Sequence, residues 1–380
     1  MPAAQGYLRA LLANLSTVRQ RRGLTPEQLE ERLILGPGWI RRFETGQSVP
    51  SIDMLLAILH ELGGGIQDVL AGLGMPEEAD VQRRIFAEQN QRDLIIHFDY
   101  ANFDARYTLP DAKLGDFEAV VKTMRDGLAA NGGQNQAVKT DAVARSFLHA
   151  VHLWPMANPS DLWWFLVYRA YCDPYNHPAS SARMSFEQSW KRTGGWALEE
   201  ILVRHYGRLL KQHGINISIE DSAVKQRWIQ SLNLDQHVEA DKIDVVLTGD
   251  TPSGPRFFGI INVKASFAER RTDDVPLSQI MVDNGYTSPL WTMDCKSTPG
   301  ATPVNHGELG PVTGDRSAKR DDTEVRGHFT GCFSYNRNTV RSLRTLPPER
   351  QVYVCDFSNS DDEFSRFIIG RWRHFRRPRG

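Results

Sequence analysis

The chain has 380 residues, a formal net charge of −1 and four cysteines. Its length exceeds the roughly 100–200 residues of a single domain, so two or three units with ample core material are expected, and no covalent staples are needed. A near-neutral balance argues against a protein that coats nucleic acid over its whole surface. Cys172, Cys295, Cys332 and Cys355, scattered with no CxxC pair and no His at ligand spacing, argue against a disulfide framework or a zinc site.

No charged-then-apolar leader is read at the N-terminus, and no apolar run approaches the roughly 18–20 residues that span a bilayer. The expectation is a soluble protein of a reducing cytoplasm. Basic residues nevertheless cluster locally: at positions 19–22, at Arg41-Arg42, at Arg270-Arg271, and in the last fifteen residues, where Arg366, Arg371, Arg373, Arg376, Arg377 and Arg379 interleave with Phe367, Trp372, His374 and Phe375. Such patches on a neutral chain suit a transient, specific DNA partner.

Residues 15 to 62 read as short amphipathic helices. Leu15, Val18 and Arg22 open the first. Thr25-Pro-Glu-Gln28 then combines an N-cap, a proline at the first helical position and a capping-box glutamine, ahead of the apolar Leu29 and Leu33. A turn at Gly36-Pro37-Gly38 precedes Trp39, Ile40 and Phe43 at helical spacing, with Arg41 and Arg42 on the other side and Gly46 as the stop. Ser51 caps a fourth segment whose Ile52, Leu55, Leu56, Ile58, Leu59 and Leu62 are almost continuously apolar.

This stretch resembles the phage-repressor type of helix-turn-helix over about fifty residues. The resemblance implies that the segment from Trp39 to Phe43 enters the major groove and that Gln28, Trp39, Arg41 and Arg42 contact DNA. The chain departs from the family where Gly36-Pro37-Gly38 replaces the polar residues that usually begin the recognition helix.

The helix-turn-helix domain is taken as residues 1–75, followed by a helical linker region over 76–140 in which no chemistry is read. Residues 141–380 then form the remaining domain. The aromatic cluster Trp163, Trp164, Phe165, Tyr168 and Tyr171 reads as core. Ser185 to Tyr206 reads as a long helix or a pair of helices, with Gly194-Gly195 allowing close approach to a sheet and Glu199 at the edge of the stripe formed by Leu198, Ile201 and Leu202.

The apolar strand Lys-Ile-Asp244-Val-Val-Leu is followed, across a Gly/Pro-rich connection, by a second, Phe-Phe-Gly-Ile-Ile-Asn-Val-Lys264. The two read as a hairpin that places an acid and an amine at one edge of a sheet. A carboxylate and a lysine so placed can hold a divalent metal and position a water. A competing Asp294-Cys-Lys296 lies on a plausible later strand but lacks a preceding acid at hairpin distance and following arginines. It leads into a Pro/Gly loop, residues 298–323, that carries Lys319-Arg320 and is expected to be mobile until DNA orders it. Two closing strands are expected at Gly331-Cys-Phe-Ser-Tyr and Gln351-Val-Tyr-Val-Cys.

The order of helix with Glu, strand with Asp, hairpin, and strand ending in Lys resembles the PD-(D/E)XK nuclease fold: an α/β (α+β) restriction-endonuclease-like core with a mixed central sheet flanked by helices. The resemblance implies Asp244 as the motif's aspartate and Lys264 as its lysine. The position two before the lysine holds Asn262 rather than an acid or serine, so the second carboxylate is sought elsewhere, with Glu199 as candidate, Glu269 as rival and Glu200 still open. Oxygen ligands from Asp244, Glu199 and the Val263 carbonyl suit Mg2+.

The crowded charges of Glu269, Arg270, Arg271 and Asp273 resemble the base-reading cluster of type II restriction endonucleases that recognise CCGG-containing sites. Arginine pairs with guanine and an acid with the cytosine amino group. Ala268 stands where the cluster's first arginine is expected. The resemblance implies a sequence-specific endonuclease acting on double-stranded DNA at a short G·C-containing palindrome, a homodimer matching the two-fold site, and a cognate methyltransferase. The other reading is a transcription regulator whose C-terminal domain senses a ligand or is an inactive nuclease fold.

Overall fold

The computed structural model describes residues 2–70, 83–100, 103–130, 135–177, 185–234, 237–266, 271–298 and 300–377; for residues 2–9, 70 and 271–273 it describes the backbone alone. The chain divides into two compact units, Met1–Arg83 and Arg84–Gly380.

The first unit is all helical: α1 (Pro2–Arg21), α2 (Pro26–Arg32), α3 (Trp39–Glu44), α4 (Ile52–Glu61) and α5 (Ile66–Leu70). Thr25 and Gln28 form the expected capping box at the start of α2. Leu15, Leu29, Ile40, Phe43, Ile58 and Leu59 make the core. Beside it the Arg19 guanidinium donates to both Glu44 oxygens, at 2.7 and 2.9 Å, with both side chains largely shielded. Gly38 lies at φ 81° and offers no side chain to cap α3. The buried Glu30 carboxylate serves instead, accepting from the Gly38 and Ile40 N–H groups at 2.9 and 2.8 Å. The Gly-Pro-Gly departure is thereby compensated from α2, since orphan N–H groups at a helix start need an acceptor.

The second unit begins with a three-stranded antiparallel sheet, β1 (Ile85–Asn90), β2 (Asp93–Tyr100) and β3 (Phe103–Leu109). The expected helical linker over 76–140 is corrected here. Leu94, Ile96 and Phe98 alternate into the core of this unit, and α6 (Leu114–Ala129) packs there through Phe117, Val120 and Val121. Next come α7 (Gln136–Leu153) and α8 (Pro159–Asp161), then a π-helical stretch, Leu162–Tyr168, and α9 (Arg169–Cys172). Trp163, Phe165 and Tyr171 are buried, as core residues should be.

One helix, α10 (Phe186–Gln212), is capped by Ser185 and leads into β4 (Ile215–Ser218). After α11 (Ser222–Ser231), the hairpin of β5 (Val245–Thr251) and β6 (Gly254–Lys264) pairs Thr251 with Gly254. The Gly/Pro-rich segment is thus mostly strand, with a tight turn at Pro252-Ser253. Then follow α12 (Arg271–Asp283), β7 (Leu290–Thr292), α13 (Ala318–Glu324), β8 (Cys332–Ser334), β9 (Val352–Val354) and α14 (Glu363–Phe375).

The main sheet runs β4-β5-β6-β7-β8-β9, antiparallel through β6 and parallel from β6 onward, so it is the expected mixed sheet. Its two faces are covered differently. Val245, Leu247, Ile261 and Val263 join Leu198, Ile201 and Leu202 of α10 in one cluster, whereas Val246, Phe257 and Ile260 join Ile229 of α11 and Leu277 and Met281 of α12 in another. Gly259 marks a close approach: an added Cβ would lie 2.1 Å from the Thr287 carbonyl, whose partner is the Ile260 N–H. Among the described residues no helix is long and apolar enough to cross a membrane.

Candidate active site

Side chains alternate across a strand, so Ile260, Asn262 and Lys264 face α12 while Ile261 and Val263 face α10. Asp244 immediately precedes β5 and, two residues before Val246, points to the α12 side as well. There the Lys264 ammonium lies 2.8 Å from Asp244 Oδ2, and the same oxygen accepts the Val263 N–H at 2.8 Å. The hairpin therefore joins the two residues as the sequence led us to expect.

The third member of the group was not anticipated. Asp274, in the second turn of α12 and 4% exposed, places Oδ1 3.3 Å from Lys264 Nζ. Lys264 thus sits between two carboxylates, with its side chain 10% exposed. Burial alone would lower its pKa, but the charges of Asp244 and then Asp274, with hydrogen bonds to both, outweigh this and raise it above its ordinary value. The ammonium is firmly protonated at neutral pH. A signal for Asp274 was present in the sequence: positions 274, 277, 278 and 281 share one helical face, and Leu277 and Met281 make it the buried face.

Glu199 is half-buried on α10, whose Leu198, Ile201 and Leu202 pack on the sheet face opposite to that of Lys264; the acids paired with the lysine are Asp244 and Asp274. Glu200 pairs with Arg204 at 2.8 Å, and Arg204 in turn with Asp141 of α7. In a strand the N–H and C=O of one residue point to the same side, and the Val263 N–H is directed at Asp244. Asn262 turns into the protein, donating to Ser288 Oγ at 3.0 Å and the Pro289 carbonyl at 3.2 Å. Glu269 and Arg270 lie outside the described residues; Arg271 and Asp273 fall in the first turn of α12, with their side chains outside the description.

The competing acid Asp294 is organised as a structural residue. It adopts φ 47° and is 2% exposed. Its carboxylate accepts from the Glu308 and Leu309 N–H groups at 2.6 and 3.3 Å and from Thr339 Oγ1 at 2.5 Å, while Lys296 is exposed. The loop expected to be mobile contains α13, and Arg320 within it is fully buried. That guanidinium is bound to Glu324 at 2.6 Å and to the Leu309, Gly310 and Val340 carbonyls, so it belongs to the fold rather than to a DNA grip.

In the first unit, Trp39 is 42% exposed, with the Arg42 guanidinium 4.7 Å over its ring. Arg41 pairs with Glu27 at 3.0 Å in an exposed contact. The exposed Gln28 turns its side-chain oxygen back to the Thr25 N–H.

The helix-turn-helix domain family model matches residues 10–81. The type II restriction enzyme AgeI of Thalassovita gelatinovora is 38% identical over 240 residues, which is 61% of this chain and 84% of AgeI. The chain belongs to the type II restriction endonucleases. The crystal structure of an AgeI–DNA complex superposes with a TM-score of 0.64 at 32% identity, over 73% of this chain and 99% of that one. A pre-specific complex of the restriction endonuclease BsaWI with DNA aligns at 16% identity and a TM-score of 0.35, over 69% of this chain and 95% of that one. AgeI is thus spanned almost end to end, while about a quarter of this restriction endonuclease has no counterpart in it.

Proposed function

We propose that this endonuclease binds double-stranded DNA and, as a homodimer, hydrolyses both strands at a short palindrome containing G·C pairs, with a divalent cation, best suited by Mg2+, held by Asp244, Asp274 and the Val263 carbonyl. The observation that carries the reading is the convergence of Asp244 and Asp274 on one buried ammonium. Two carboxylates that already enclose a positive charge form a hard-oxygen donor set, which fits Mg2+ and leaves room for retained waters. Among the described residues no group of three or more His, Cys, Asp or Glu side chains is gathered for a metal, so the carbonyl and waters complete the set. When bound, the cation supplies Lewis acidity toward the scissile phosphate and a more acidic water.

The chain's own part is to hold charge at that corner. Lys264 stands between the two acids, where its amine is directed at a non-bridging phosphate oxygen or the attacking water. The post-lysine residues Glu269, Arg270, Arg271 and Asp273 supply the chemistry to read G·C pairs. The helix-turn-helix adds Trp39, Arg41, Arg42 and Gln28 as a second DNA grip, with α3 presented to the major groove. A methyltransferase of matching specificity protects the host sequence, and the enzyme works in the cytoplasm with its DNA.

The test is digestion of an unmethylated genome of known sequence by the full chain with Mg2+, with all ends mapped. Ends sharing one symmetric sequence, and their disappearance with a chelator, are expected. Inertness across varied unmethylated DNA, or random ends, would overturn the reading.

A further inference from the structure

We propose that Asn262, the residue standing where an acid or serine was expected, is a positioning residue that holds Asp274 at the active site through a relay of two serines. This rests on the cation-site reading above. Asn262 Nδ2 donates to Ser288 Oγ at 3.0 Å; Ser288 Oγ and Ser278 Oγ are 2.7 Å apart, and Ser278 Oγ also reaches the Ser288 carbonyl at 3.3 Å. Asn262 is 2% exposed and both serines 0%. One assignment satisfies the chain: the amide donates to Ser288 Oγ, the Ser288 hydroxyl donates to Ser278 Oγ, and the Ser278 hydroxyl donates to the Ser288 carbonyl. Ser288 is itself fixed to the loop before β8, where its N–H donates to Thr330 Oγ1 at 2.8 Å and its carbonyl accepts the Thr330 N–H at 3.0 Å.

The relay ends on α12 one turn beyond Asp274. Residues four apart lie on the same helical face, so anchoring Ser278 fixes the azimuth and height of the Asp274 carboxylate against β6. Between them stands Pro276, which has no N–H to donate to the Thr272 carbonyl. The turn bearing Asp274 is therefore held by one ladder bond fewer, and its placement depends more on the anchor. Position 262 shares the strand face of Lys264, and from there it ties down the helix that supplies the second acid.

Groups that orient metal ligands without touching the metal change affinity by about 10–100-fold when removed. Mn2+ titrated into the full chain by calorimetry, beside the Mn2+ dependence of plasmid cleavage, should show Ser278→Ala weakening Mn2+ binding about tenfold. Metal-free DNA affinity should stay near that of the parent, while the melting temperature falls modestly because the buried Ser288 hydroxyl loses its acceptor. On top of Asp274→Asn, the same serine change should cost nothing further, because it acts through that carboxylate. If Ser278→Ala does not fold, Asn262→Ser, which withdraws the donor from Ser288, is measured in the same way. Unchanged Mn2+ affinity in Asp274→Asn would sink the cation-site reading itself. A weakened Asp274→Asn with an unaffected serine or asparagine variant, or with fully additive losses, would overturn the relay alone.

Discussion

Two corners at the C-terminal ends of neighbouring parallel strands each hold a buried aspartate near a lysine, and they are built to opposite ends. At the end of β6, Asp244 and Asp274 face an ammonium. At the end of β7, Asp294 faces two backbone N–H groups and a threonine hydroxyl, and Lys296 is out in solvent. Both local sequences contain an acid and a lysine close to a strand end. Only the first surrounds a cation with more than one carboxylate; the second spends its carboxylate on pinning a loop. The donors around an acid, more than its burial or spacing, separate a cation site from a structural tie.

The largest expected effect tests the first corner. Asp244→Asn and Asp274→Asn should each lower cleavage about 10³-fold or more, equivalent to ~4 kcal/mol of transition-state stabilisation, with DNA binding retained. Single-turnover cleavage and a gel-shift assay read the two quantities apart. Asp294→Asn should cut at close to the parental rate once folded; loss of cutting there in a folded protein would erase the distinction between the corners.

Removing the cation that the first corner already holds sharpens the contrast. Lys264→Met leaves two shielded carboxylates without their shared partner, a change that costs about 3 kcal/mol in comparable buried pairs. Added Mn2+ should restore much of the lost melting temperature, since a ligand that binds only the folded state stabilises it. Asp294 variants should show no such rescue. A Lys264→Met protein as stable as the parent and indifferent to Mn2+ would count against the site.

The second corner predicts a stability effect instead. Asp294→Ala orphans the Glu308 and Leu309 N–H groups and the Thr339 hydroxyl, and should cost ~2 kcal/mol in urea unfolding. The side chain also occupies a left-handed φ of 47°, where Asp and Asn are tolerated better than Ala, so backbone strain adds to the loss.

The hairpin was legible because both of its strands are apolar and its polar ends stand out. The helix-turn-helix was legible because its caps and stops are local signals. Asp274 was harder to see, since its role arises only when α12 folds back on β6, although its place on the Leu277–Met281 face was a clue. The sheet face covered by the helix of Glu199 was not legible, because an apolar helical stripe carries no record of which sheet face it covers. The helical reading of the 76–140 region rested on Leu114, Phe117, Val120, Val121 and Met124, which do form α6; the sheet of β1 to β3 before it was missed, since Phe86 and Ile95 put apolar residues between those that point inward and blur the period of two. Arg320 looked like a mobile basic residue; its partners Glu324, Gly310 and Val340 meet it only through tertiary structure.

The smallest effect concerns pH, and it separates the corners by pH range. Burial, opposed by hydrogen bonds from Thr339 and the Glu308 N–H, raises the Asp294 pKa from 3.8 to about 6. The folded state therefore holds this proton more tightly than the unfolded chain. The associated stability is fully present below about pH 3.8 and is lost as pH rises through about 6. Asn at 294 cannot titrate, so Asp294→Asn should flatten part of the decline between those values, by ~1–2 kcal/mol after allowance for the lost charge-assisted bonds. Asp161 and Asp362 are raised to about 6 by burial as well, so a residual slope should remain. The raised pKa of Lys264 acts in a different range, its contribution being lost only under alkaline conditions as pH climbs through the raised value. Urea midpoints measured from pH 4 to 7 should accordingly differ between parent and Asp294→Asn in slope; a parallel offset with no change in slope would show that the buried carboxylate of the second corner is ionised throughout.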